Sequence, residues 1–198
     1  MSRYEEILEF WFGDIHTIED RLEDKSKYWF NGGERVDLEI KQKFLDDVIL
    51  AAQGKLNHWR DHPCSTLALV ILLDQFSLNI WREQKRAFDQ SLMAVPIVLD
   101  AIEKHFDQQV TPIERVFYYL PIEHVEDLAM QDKSVELFTK LLEDATENQK
   151  IAFEIFLDYA IRHRDAIVKF GRFPGRNKGL GRASSAEEAA YLEQQGGF

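Results

Sequence analysis

The sequence predicts an all-α protein in a single domain, and three observations lead there. Apolar residues return every three or four positions through most of the chain, the period of one helix face. No run alternates apolar and polar residues between hairpin-turn signals, as a half-buried strand does. Helix punctuation is explicit: Thr111, Pro112 and Glu114 read as a capping threonine, a proline at the first helical position and a glutamate at the third. A chain of 198 residues can bury a core without staples, and its single cysteine, Cys64, cannot close an internal disulfide.

The elements follow in order. Tyr4, Ile7, Leu8, Trp11 and Phe12 give a short first helix, with Gly13 as its C-cap. Leu22, Tyr28, Trp29 and Phe30 mark a second, broken by Asn31, Gly32 and Gly33, so residues 1–33 read as aromatic helices docked on a larger body. Glu34 to Asp61 reads as one long helix, whose end would carry His58 and His62 on one side before Pro63 stops it. Ser65 is then expected to cap TLALVILLDQFSLNIWR, apolar nearly all round and therefore central. Ala87 to Phe106 gives a helix disturbed at Pro96, and the capping box at Thr111 opens another. Beyond Pro121, His124, Asp127 and Gln131 are expected on one helix face. Thr146 to Gly171 is the next helix, with Tyr159, Ala160, His163, Ile167 and Phe170 expected on its buried side. A final short helix starts at Ser184 or Ser185 and ends at Gly196 and Gly197.

Charge is unevenly placed. The chain nets -11, yet residues 161–182 hold seven basic side chains against the single acid Asp165, and residues 171–183 form a basic, glycine-rich loop. A negative chain repels phosphate backbones, so no nucleic-acid partner is expected. The apolar run Leu67 to Leu73 is far shorter than the roughly 20 residues that span a bilayer. With no membrane partner, a lone cysteine and no signal-like start, the cytoplasm is the expected location.

Several motifs tempt and fail. His163-Arg164-Asp165 spells the start of a kinase catalytic loop, but Phe170 stands where its asparagine belongs. Gly171, Gly175, Gly179 and Gly181 lack the lysine-serine or lysine-threonine of a nucleotide-binding loop. His58 and His62 lack the glutamate of a zinc protease, so no metal and no cofactor are expected. What remains is a polar stripe inside the apolar helix: Asp74, then Gln75, Asn79 and Arg82 on one face. A buried charge there needs a partner, since an unpaired polar group costs about 1–3 kcal/mol.

Three segments together carry a resemblance: DQFSLNIWR at 74–82, YYLPIEHVEDLAMQ at 118–131 and HRDAIVKFGRFPGRNKGLGR at 163–182. With the early FWFG they are similar to the bacterial domain of unknown function family 924. The resemblance implies an antiparallel helical array like tetratricopeptide folds, and no activity. It covers Asp74, Gln75, Phe76, Asn79 and Arg82, then Pro121, His124, Glu126, Asp127 and Gln131, then His163, Arg164, Gly171, Arg172, Phe173, Pro174, Arg176 and Asn177. The chain departs from the family pattern at Ser77 and Leu78 (proline-arginine), Val125 (serine) and Gly175 (histidine).

Three readings stand open. In the first, Asp74, Gln75, Asn79, Arg82, His124 and Glu126 face Arg172 and Arg176 across a pocket that takes a small anionic or polar molecule, with His124 or His163 as a catalytic base. In the second, a concave helical face binds a peptide. In the third, the same residues are a satisfied structural network, Asp74 with an arginine and His163 with a carbonyl.

Overall fold

Periodicity of this strength becomes helix, and most element ends fall where backbone chemistry puts them. The computed structural model describes residues 1–13 and 22–196. Residues 14–21, within the amino-terminal segment, and Gly197, expected at the end of the last helix, lie outside the described residues. The helices are α1 (Arg3–Phe12), α2 (Leu22–Asn31), α3 (Gly33–Ala52) and α4 (Pro63–Ile71). A π turn, Leu72–Phe76, joins α4 to α5 (Ser77–Ile80). Then come α6 (Lys85–Glu103), α7 (Pro112–Glu123), α8 (Leu128–Glu143), α9 (Lys150–Phe170) and α10 (Ala186–Gln195). No strand occurs among the described residues, and the fold is an all-α helical bundle.

The Thr111 box forms: Glu114 N–H donates to Thr111 Oγ1 at 3.4 Å, and Thr111 N–H donates to Glu114 Oε2 at 2.8 Å. The last helix starts at Ser185, which exchanges the same pair of bonds with Glu188.

The long helix expected from Glu34 to Asp61 is shorter. Gly54 at φ +72 turns the chain after Ala52, and a 3-10 turn, Asn57–Asp61, follows. His58 lies in that turn whereas His62 is extended, so the two do not share a helix face. Ser65 is not a cap: its hydroxyl donates back to the Trp59 carbonyl at 2.7 Å.

The helix of the apolar run is the interior of the molecule, every residue from Leu67 to Phe76 being buried. Pro63–Ile80 is long and apolar enough by length and composition to cross a membrane, but 78% of it is buried inside the protein, as in a core helix. Around it pack α1, α3, α6 and α7, while α8 lies between α7 and α9. Aromatic rings join the amino-terminal helices to this core: Trp29 and Phe12 stand edge-on to Phe117 at 4.8 and 5.2 Å, and Trp11 to Phe76 at 5.3 Å. Trp29 Nε1–H donates to the Trp11 carbonyl at 2.9 Å.

Candidate functional site

The site begins with the π turn. A π turn holds an extra residue, which widens the helix locally and redirects side chains. Ser77 suits it, its hydroxyl lying 3.1 Å from the Leu72 carbonyl and 2.8 Å from Gln90 Oε1. Asp74, in the middle of the turn, is 0% exposed. Its carboxylate accepts from Gln75 Nε2 and from Ser91 Oγ of α6, both at 2.5 Å, and from His124 Nδ1 at 2.7 Å. Burial alone would raise the Asp74 pKa, but the His124 imidazole and the three donors outweigh it and hold the carboxyl below its usual range. The partner beside Asp74 is thus an imidazole and not the arginine expected.

His124 is the C-cap of α7, not the first residue of a new helix stripe. Pro121 is accommodated inside α7, and the chain breaks after His124 before Asp127 caps α8, accepting from Met130 N–H at 3.0 Å. Gln131, one turn into α8, closes this break by donating to the carbonyls of Glu123 and Val125 at 2.6 and 2.7 Å. An ionised Asp74 can only accept, so His124 carries a proton on Nδ1 and presents Nε2 on the far side of the ring. The His124 side chain keeps 14% of its surface exposed, and no described residue bonds to Nε2.

A second imidazole stands behind the first, the His124 and His163 rings being 6.3 Å apart. His163 Nδ1 donates to the Tyr159 carbonyl at 2.8 Å and lies 3.1 Å from Glu123 Oε1. That separation would suit an ion pair, but both groups are buried. Burial pushes His163 down to about 3, and burial together with the Asp74 charge pushes Glu123 up to about 8. Near neutrality the pair is therefore a carboxylic acid against a neutral imidazole. Tyr159, expected with His163 on the inner face, is instead 46% exposed.

The basic loop divides its cations. Arg176 is 6% exposed, donates from Nη1 to the His124 carbonyl at 2.7 Å, and lies 4.4 Å from the Phe173 ring and 5.1 Å from that of Phe88. Burial lowers its pKa to about 10, and its Nε–H has no bonding partner. Glu126 accepts from Phe173 N–H at 2.8 Å and from both terminal nitrogens of Arg182 at 2.6 and 2.8 Å. Arg172 turns to α10, where it pairs with Glu188 at 2.7 and 2.9 Å. Arg82 turns to α3 and pairs with Asp37, twice at 2.7 Å. Asn79 donates to the Gln75 carbonyl at 2.7 Å.

Of the residues expected to line a pocket, Asp74, Gln75, His124 and Arg176 gather in one cluster with His163 beside them. Asn79 and Glu126 support its walls, while Arg82 and Arg172 belong to separate ion pairs. Sequence reasoning passed over Ser91, Glu123 and Arg182. Glu123 had a signal, as an acid adjacent to a candidate histidine on an apolar helix. Two open surface depressions lie away from the cluster, one between α9 and α10 and one beside Arg3 and Phe44.

Residues 7–196 match the family described as a bacterial protein of unknown function, DUF924. The chain belongs to this family. A solved structure of a protein of unknown function from Agrobacterium tumefaciens is 32% identical over 96% of this chain and 97% of its own, with a TM-score of 0.81. Comparison with curated proteins finds no match. In this DUF924 chain, segments 74–82, 118–131 and 163–182, distant in sequence, meet around the Asp74 carboxylate and the His124 ring. Among its described residues, no group of three or more His, Cys, Asp or Glu side chains has the arrangement to hold a metal.

Proposed function

We propose that the Asp74–His124–Arg176 cluster binds a small anionic molecule and that His124 acts on it as a general base. The observation that carries the reading is His124 itself. Its Nδ1–H is given to a buried carboxylate, which fixes the tautomer and aims an unpaired Nε2 from a partly exposed ring. A histidine oriented in this way by a carboxylate is equipped to take a proton from a bound molecule or a bound water. Arg176 supports the anionic preference. Its guanidinium is held against the His124 backbone and between two aromatic rings, with its Nε–H unbonded. A desolvated guanidinium is a strong anion ligand because water does not compete for it.

The test is thermal-shift titration with inorganic phosphate, citrate and nucleoside monophosphates on wild type, His124→Asn and Arg176→Lys. Stabilisation of the wild type at saturating anion, about 2.7 kcal/mol at a hundredfold excess over Kd, should be lost or strongly reduced in both variants. An unmoved wild type, or variants that respond like it, would sink the reading.

A further inference from the structure

The seam in which α8 packs between α7 and α9 holds polar groups that the anion cluster does not use. α8 buries a single stripe, Gln131, Ser134, Phe138 and Leu141. Phe138 shows where that stripe faces, its ring lying 5.8 Å from that of Tyr119 on α7 and 6.4 Å from that of Phe156 on α9. One more contact on each side fixes the register. On α9, Arg164 meets Asp132 at 2.5 Å, so the two helices run antiparallel, with Ser134 at the level of Ala160 and Gln131 at that of His163. On α7, Gln131 Nε2 donates to the Glu123 carbonyl at 2.6 Å, which sets Ser134 between the levels of Tyr119 and Glu123. Next to an aromatic layer of Tyr119, Phe138 and Phe156 there is thus a layer to which α8 and α9 contribute only a serine and an alanine.

Three oxygens of this seam have no hydrogen-bond partner in the protein: Glu123 Oε2, Gln131 Oε1 and Ser134 Oγ. All three residues are at most 2% exposed. Buried polar atoms are nearly always paired, so three orphans in one seam point to a shared partner. Gln131 cannot turn its amide to help, because Nε2 is committed to the Glu123 and Val125 carbonyls. Donor and acceptor roles then narrow the partner. Gln131 Oε1 only accepts, and the Ser134 hydroxyl does either. Glu123 holds a proton near neutrality, and it holds it on Oε2, because Oε1 faces His163 Nδ1–H at 3.1 Å. The partner must therefore give hydrogen bonds as well as take one, and must fit beside Ser134 and Ala160. A cation offers the Glu123 O–H no acceptor, whereas water offers two donors and an acceptor.

We propose that the α7–α8–α9 seam is a binding site for one structural water molecule, which bridges Glu123 Oε2, Gln131 Oε1 and Ser134 Oγ. Buried waters make about three bonds of this kind to groups that are otherwise unsatisfied. The bridge ties the acid that precedes His124 to α8, and so anchors the α7–α8 break whether or not an anion is bound at Arg176.

A high-resolution crystal structure of the full-length chain, grown without ammonium salts, should show one density peak about 2.8 Å from each of the three oxygens. The proposal is overturned by no peak, by direct bonds from these side chains to one another or to other protein groups, or by a peak at cation distances of about 2.0–2.4 Å. Urea denaturation of Ser134→Ala reads the same bridge in solution. Taking one bond from a water-bridged network should lower the folded-to-unfolded ratio about fivefold. Removing an orphan hydroxyl from a helix should instead leave the ratio unchanged or raise it, since alanine is the better helix former, and that result would sink the proposal.

Discussion

Glu123 and His163 set opposite pH limits on stability from a single contact. Glu123 has an ordinary value of 4.5 and a folded value of about 8, so between these the folded state holds a proton that the unfolded chain has released. Its contribution is complete below about 4.5 and is lost as pH rises to about 8. His163 runs the other way, from 6.5 down to about 3, so stability falls as acid protonates the unfolded chain first. Glu123→Gln removes the alkaline limb alone. It should be more stable than wild type at pH 9 by up to about 5 kcal/mol, with the gap closing toward pH 5. Urea denaturation at pH 5, 7 and 9 measures this, and a gap that does not change with pH would contradict the neutral pair. How much of this was legible is instructive. Asp74 announced that it needed a partner by standing in an apolar helix. That the partner would be an imidazole was not legible, because it depends on where α7 ends and on α6 supplying Ser91. Those are tertiary placements that spacing within one helix cannot encode.

At the scale of elements, the loop after α9 shows glycines with unlike tasks. Gly171 ends α9 in the left-handed region at φ +67, and a Cβ there would meet nothing within 4 Å. Gly179 presses against the α5–α6 turn, and a Cβ there would fall 2.4 Å from the Glu83 carbonyl oxygen and 3.1 Å from the Phe88 ring. Gly171→Ala should therefore cost about 1 kcal/mol through backbone conformation alone. Gly179→Ala should cost more, because the loop must lift off Phe88 and loosen Arg176. Equal losses in chemical denaturation would show that the close approach at Gly179 does not matter. In the sequence these glycines resembled a phosphate loop and the arginines a ligand-seeking patch. Arg172 and Arg182 instead answer Glu188 and Glu126, and Lys178 answers Glu83. The residues of the loop were readable, but their partners sit on α10, on the α7–α8 break and beside α6, and the chain order gives no hint of that.

For the whole molecule, the question is whether residues 1–33 are an appendage or part of the core. Trp11 is fully buried and its ring stands against those of Phe76 and Phe117, tying α1 to the π turn and to α7. Trp11→Ala should cost about 3–5 kcal/mol, as large-to-small changes in tight cores do. Far-UV circular dichroism and tryptophan fluorescence should then report one common transition at a lower midpoint. An early fluorescence change, separate from the loss of helix, would mean that the amino-terminal helices melt on their own. The all-α class was legible because periodicity and caps are local signals. Helix ends were less so: α3 stops at Ala52 because of turn geometry at Gly54, although its apolar pattern continues toward Trp59.

The π turn at Leu72–Phe76 has one more implication. Each residue of an α-helix advances about 100° around the axis, so one residue too many is a phase shift of that size. Upstream and downstream of Asp74, the central helix therefore meets its neighbours at two rotational settings, like two shorter helices spliced out of step. A helical wheel drawn straight through Pro63–Ile80 superimposes the two settings and smears any stripe into an even coat of apolar residues. The nearly all-round hydrophobicity of this segment is in part the shadow of that splice, and the acid at the splice point is the residue it leaves aimed at His124.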